Sequence, residues 1–93
     1  MSLIADRLIS DILLKWGRMA KRDFLLAKFG RNLRRRRNAA ALTQEALAAK
    51  ANMDRTYISD IERGVRNPGI KNVARLANAL NVTSAELMEG VDE

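Results

Sequence analysis

The chain of 93 residues contains neither cysteine nor histidine. Without thiols there is no disulfide and no thiolate metal site, and without imidazole the commonest metal ligand and the commonest general base are both missing. One Trp, one Tyr and two Phe are the whole aromatic complement, so the 47% of apolar residues must build an interior from Leu, Ile, Val, Ala and Met. That mixture suits helices better than sheets. A membrane span needs about 20 nearly uncharged apolar residues, and the most apolar stretch, Leu3 to Trp16, is interrupted by Asp6, Arg7, Asp11 and Lys15. The same stretch lacks the leading positive charge and unbroken apolar run of a secretory signal, so the bacterial cytoplasm is the expected compartment. No glycine-rich phosphate loop and no clustered carboxylate pair stands in for the missing thiol and imidazole, and an enzyme is not expected. Neither a cofactor nor a small-molecule ligand is implied.

What is present is positive charge. Lys and Arg number 17 against 11 Asp and Glu, a net charge of +6, which points to an acidic partner, nucleic acid ahead of an anionic membrane surface. The length suits one domain. Residues 1–20 read as an additional N-terminal amphipathic helix. At 100° per residue Ile4, Leu8, Ile12, Leu13, Trp16 and Met19 share a broad apolar stripe, with Asp6, Arg7, Ser10, Asp11 and Arg18 opposite. Such a stripe needs cover, from its own domain or from a second subunit. Met19-Ala20-Lys21-Arg22 equally reads as a natural start, with the preceding residues an upstream extension.

The domain proper is expected over residues 21–93. A helix from Lys21 to Asn38 carries Phe24, Leu25, Phe29 and Leu33 as its inner face, then a run of arginines, Arg34 to Arg37, that fans through about 300° and so must serve different ends. The most informative stretch is Leu42 to Gly64, LTQEALAAKANMDRTYISDIERG. Thr43 is the expected N-cap of a short helix with Leu47, Ala48 and Ala51 on one face. Asn52 is suited to a positive φ, and Met53 is apolar enough to plug the corner. Asp54 is placed to cap a second helix, about 54–63, with Ile58 and Ile61 buried and Gly64 ending it. Two short helices joined this closely cross steeply and leave Arg55, Thr56, Ser59 and Asp60 on an exposed face of the second. Further on, Val73, Leu76, Ala77 and Leu80 mark a helix ended by Asn81, and Thr83-x-x-Glu86 is a capping box for a last short helix carrying Leu87 and Met88. The tail Val91-Asp92-Glu93 is expected to fray.

The order L-T-Q-E-x-L-A, then I-S-x-I-E-R-G, then a proline resembles the helix-turn-helix domain of the Cro/repressor (XRE) transcriptional regulators, from about Phe29 to Leu87. The run DRTYISDIERG is also similar to the controller proteins of restriction-modification systems. The resemblance implies an all-α, five-helix lambda-repressor-like DNA-binding domain. It implies that Gln44 contacts a DNA phosphate and braces the recognition helix, and that Arg37 and Glu62 form a structural salt bridge. Two positions depart from the family pattern: Ala41 stands where glycine is usual, so that either a left-handed alanine or a longer helix results, and Gly69 stands where a Ser or Thr cap is usual.

A helix fits the major groove, where base pairs show distinct donor and acceptor patterns. Arg55 suits guanine O6 and N7 together, Thr56 offers a hydroxyl and a methyl, and Ser59 allows close approach. Asp60 either accepts from cytosine N4 or positions Arg55 or Arg63. Tyr57, Arg66, Asn67 and Lys71 are candidate phosphate contacts, with packing as the other reading for Tyr57. One domain makes few base contacts, so a homodimer on a near-palindromic operator in double-stranded DNA is expected. The competing reading is an antitoxin-like module that uses the same fold to hold a protein.

Overall fold

Four chain reversals organise the described structure, and each is made the same way. Helix α1 covers residues 24–39, α2 Gln44–Ala51, α3 Arg55–Glu62, α4 Gly69–Ala79 and α5 Ser84–Leu87. At the ends of the first four helices a residue with positive φ sits between two backbone bonds, one reaching back three residues and one reaching back five. Ala41 and Leu42 donate to Asn38 and Arg37, Asn52 and Met53 to Ala49 and Ala48, Gly64 and Val65 to Ile61 and Asp60, Asn81 and Val82 to Asn78 and Ala77. This pairing satisfies carbonyls that the helix leaves open, and it requires the left-handed conformation at its pivot. Asn and Gly adopt that conformation readily, whereas Ala41, at φ 57°, is strained. The alternative of a longer first helix is thereby excluded.

This is a computed structural model describing residues 24–93; the amphipathic segment expected over residues 1–20 lies outside the described residues. Among the described residues all regular structure is helical, and no helix is long and apolar enough to cross a membrane. The core joins Phe29 and Leu33 of α1, Leu47 of α2, Ile58 and Ile61 of α3, Leu76 of α4 and Leu87 of α5, with Val73, Ala77 and Leu80 around them. Thr43 caps α2 by accepting from the Ala46 N–H at 3.0 Å, and Thr83 and Glu86 form the expected capping box. Gly30 allows α1 to lie directly on the end of α3: a Cβ there would stand 2.5 Å from the carbonyl oxygens of Ile61 and Glu62.

Several expectations are corrected. Phe24 is 62% exposed and Leu25 40% exposed. Phe24 lies five residues from Phe29, about 140° around the helix, so it cannot share the inner face. Leu25 points the right way but, among the described residues, lies where no helix covers it fully. The tail does not fray at Val91, which is 5% exposed and part of the core. Asn32, itself buried, donates from Nδ2 to the carbonyls of Leu87 and Glu89 at 3.1 and 2.8 Å, and Lys28 donates to the Glu93 carbonyl, so α1 holds the C-terminal turn in place. Asp54 occupies the N-cap position, but its carboxylate makes no capping bond. An exposed carboxylate loses little by keeping its water instead. At Gly69, φ is +75°, and the N–H is capped from two residues upstream by Asn67 Oδ1 at 3.0 Å.

Candidate nucleic-acid interface

Eight residues make α3 just over two turns long, enough for one buried stripe and one polar one. Ile58 and Ile61 are fully buried. At 100° per residue, Arg55, Ser59, Arg63, Thr56 and Asp60 then follow one another over about 140° of the opposite side. Arg55, Thr56 and Arg63 are exposed, and Ser59 and Asp60 are half-buried. The structure therefore brings the four expected base-reading residues onto one open face and adds Arg63, expected only as a partner for Asp60. Asp60 does pair with Arg63, Oδ1 to Nη2 at 2.5 Å, and Arg55 pairs instead with Glu45 across the turn, Nε to Oε1 at 3.4 Å. Both side chains are exposed, and among the described residues the Arg55 guanidinium makes no hydrogen bond within the chain, so its donors are open to another acceptor.

The angle of this face is set by one carboxylate. Glu62 accepts from Arg37 Nε at 2.6 Å, from Arg37 Nη2 at 2.9 Å and from Gln44 Nε2 at 3.1 Å. Arg37 Nη1 donates to the Leu42 carbonyl at 2.8 Å. The side chains of Arg37 and Glu62 are 11% and 4% exposed, so their attraction is poorly screened, and the Glu62 carboxylate raises the Arg37 guanidinium above its ordinary range against the opposing effect of burial. Helices α1, α2 and α3 are thus tied at one point. Gln44 sits at the start of α2 with its amide on this network.

Tyr57 is turned away from the open face. Its hydroxyl donates to the Pro68 carbonyl at 3.3 Å and accepts from Asn72 Nδ2 at 3.0 Å, so its one proton is directed inward. The guanidinium of Arg66 lies over its ring, 4.9 Å from the centroid. Arg66, Asn67 and Lys71 are exposed in and after the loop beyond α3. Asn72 and Arg75, which hold this corner together, had no distinguishing signal in the sequence, since their partners lie 15 and 24 residues away. Among the described residues no group of three or more carboxylates is placed to hold a metal ion.

The helix-turn-helix family model matches residues 33–87, the stretch from the middle of α1 to the end of α5. The control protein C.BamHI of Bacillus amyloliquefaciens is 40% identical over 62 residues, covering 66% of this chain and 76% of that protein. The crystal structure of the restriction-modification controller protein C.AhdI from Aeromonas hydrophila is similar at a TM-score of 0.66 and 45% identity, over 67% of this chain and 94% of that one. The tetramer of the controller protein C.Esp1396I in complex with its natural 35-base-pair operator gives a TM-score of 0.67 and 41% identity, over 73% and 90% of the two chains. With the family model covering more than half of its length, this chain belongs to the XRE-type helix-turn-helix family of transcriptional regulators, among whose members are the restriction-modification control proteins.

Proposed function

We propose that this protein is a sequence-specific regulator of transcription that binds duplex DNA as a homodimer, with α3 in the major groove. The observation that carries the reading is the open polar face of α3, held at a fixed angle to α1 and α2 by Glu62. Arg55 reads a guanine through its exposed guanidinium fork, worth about 1–3 kcal/mol of discrimination. Thr56 and Ser59 line the approach. Asp60, neutralised by Arg63, can sit near DNA without repelling it. Gln44 and the first-turn N–H groups of α2 take a phosphate, as helix N-termini do, and Arg66, Asn67 and Lys71 take others. Tyr57 serves this surface by packing. A regulator of this kind acts on the chromosome, in the bacterial cytoplasm.

Dimerisation is supported by a separate apolar surface. Ile70, 87% exposed, stands beside a groove of about 430 Å³ between α1, α4 and α5, lined by Leu25, Phe29, Val73, Met88 and Val91. Two copies related by a two-fold axis bury one another's Ile70 there, and a two-fold operator asks for α3 helices about 34 Å apart, one turn of DNA. The C.Esp1396I protein is seen as a tetramer on its operator.

The test is a binding selection from random duplex DNA, repeated with Arg55→Ala. The variant is expected to lose about ten- to a hundredfold in affinity for the selected site and to relax its preference at one base pair. A loss equal for every duplex, with no preference relaxed, removes Arg55 from base reading.

A further inference from the structure

Two residues of α4, Asn72 and Arg75, link the turn between α2 and α3 to the loop beyond α3. Arg75 Nη2 donates to the carbonyls of Ala51 and Asn52 at 2.9 and 2.8 Å, at the turn between α2 and α3. Its Nη1 donates to Asn72 Oδ1 at 3.3 Å. Because a guanidinium has only donors, the Asn72 atom that faces it must be the oxygen, and Nδ2 is therefore the atom that faces Tyr57. Asn72 Nδ2 donates to the tyrosine hydroxyl, and the hydroxyl, its acceptor side taken, sends its proton to the Pro68 carbonyl. Arg75, which can only donate, and the Pro68 carbonyl, which can only accept, thus fix the direction of the bonds between them, and the Pro68 end is the loop that holds Arg66 against the Tyr57 ring.

We propose that Asn72 and Arg75 are positioning residues for the DNA-binding surface, orienting Tyr57 so that its ring holds Arg66 where the duplex passes. The proposal rests on the DNA-binding reading above. It assigns Tyr57 a different task from a phosphate donor: the hydroxyl anchors the ring, and the ring carries the cation. A cation held on an aromatic face loses less freedom on meeting a phosphate than one on a free side chain.

The test uses the full chain and its selected duplex, with folding of each variant verified by circular dichroism. Asn72→Ala and Tyr57→Phe are each expected to weaken binding about three- to tenfold, the effect of one hydrogen bond. The double variant should bind no more weakly than Tyr57→Phe alone. Arg66→Ala should lower the slope of log affinity against log salt by about 0.9, and Asn72→Ala should add nothing in its background. Additive losses, unchanged binding by Asn72→Ala, or a full Asn72→Ala effect without Arg66 would each overturn the assignment. An arm without DNA separates this from the parent reading: the aromatic ring shifts the NMR resonances of the Arg66 side chain, and Asn72→Ala should return them toward solvent values. If those resonances do not move, the relay is wrong however the duplex behaves; if the wild-type chain selects no duplex, the DNA-binding reading itself is lost.

Discussion

Replacing Arg37 by alanine tests what holds the three central helices at their angle. The substitution removes two bonds to Glu62 and one to the Leu42 carbonyl, and leaves a carboxylate only 4% exposed with Gln44 as its remaining partner. Breaking a buried ion pair on one side costs about 3–5 kcal/mol, because the abandoned charge cannot recover its water. A domain of about 70 residues has about 3.5–10 kcal/mol in all. Arg37→Ala is therefore expected to lower Tm by at least about 12 °C and to leave a measurable unfolded fraction at room temperature. Urea unfolding followed by circular dichroism, at one protein concentration because the dimerisation proposed above would be linked to folding, measures it directly. Replacing both partners, Arg37→Met with Glu62→Leu, should recover most of the loss, since no lone charge remains; the Leu42 carbonyl still lacks its donor, so recovery stops about 1 kcal/mol short. A cost below about 1 kcal/mol for Arg37→Ala, the range of exposed pairs, would refute the argument from burial.

Ala41→Gly should stabilise the domain. Relief of the left-handed alanine, about 1–2 kcal/mol, exceeds the extra freedom of glycine in the unfolded chain, about 0.4–1 kcal/mol, and a rise in Tm of about 2–8 °C is expected in thermal melts. Ile70→Glu places a charge against the apolar groove, and sedimentation at micromolar concentration should show monomer where the wild type is dimeric; an unchanged dimer would place the interface elsewhere.

Local chemistry made much of this protein legible from its residues. Thr43 and Thr83 are caps because a hydroxyl reaches the N–H three residues on. Asn52, Gly64 and Asn81 are reversals because those residues tolerate positive φ. The buried and open faces of α3 follow from the spacing of Ile58 and Ile61. Each of these depends on atoms within about five positions of one another. The resemblance to XRE regulators supplied one tie that no periodicity shows, Arg37 to Glu62 across 25 residues.

What only the folded chain decided depends on neighbours distant in sequence. The groups that the Tyr57 hydroxyl meets, Asn72 Nδ2 and the Pro68 carbonyl, lie 15 and 11 residues away. Val91 is at a chain end where nothing nearby in sequence holds it, yet it packs into the core, and the turn before it is held from the other end of the domain by Asn32, which donates to the carbonyls of Leu87 and Glu89 across 55 and 57 residues. Phe24 and Leu25 had the composition of a core but not its geometry, since burial depends on which helix lies opposite. Helical period and capping are set by short-range sterics and hydrogen bonds, which a sequence carries residue by residue. The partner of a buried amide, hydroxyl or guanidinium is set by packing, which exists only when the whole domain has closed around it.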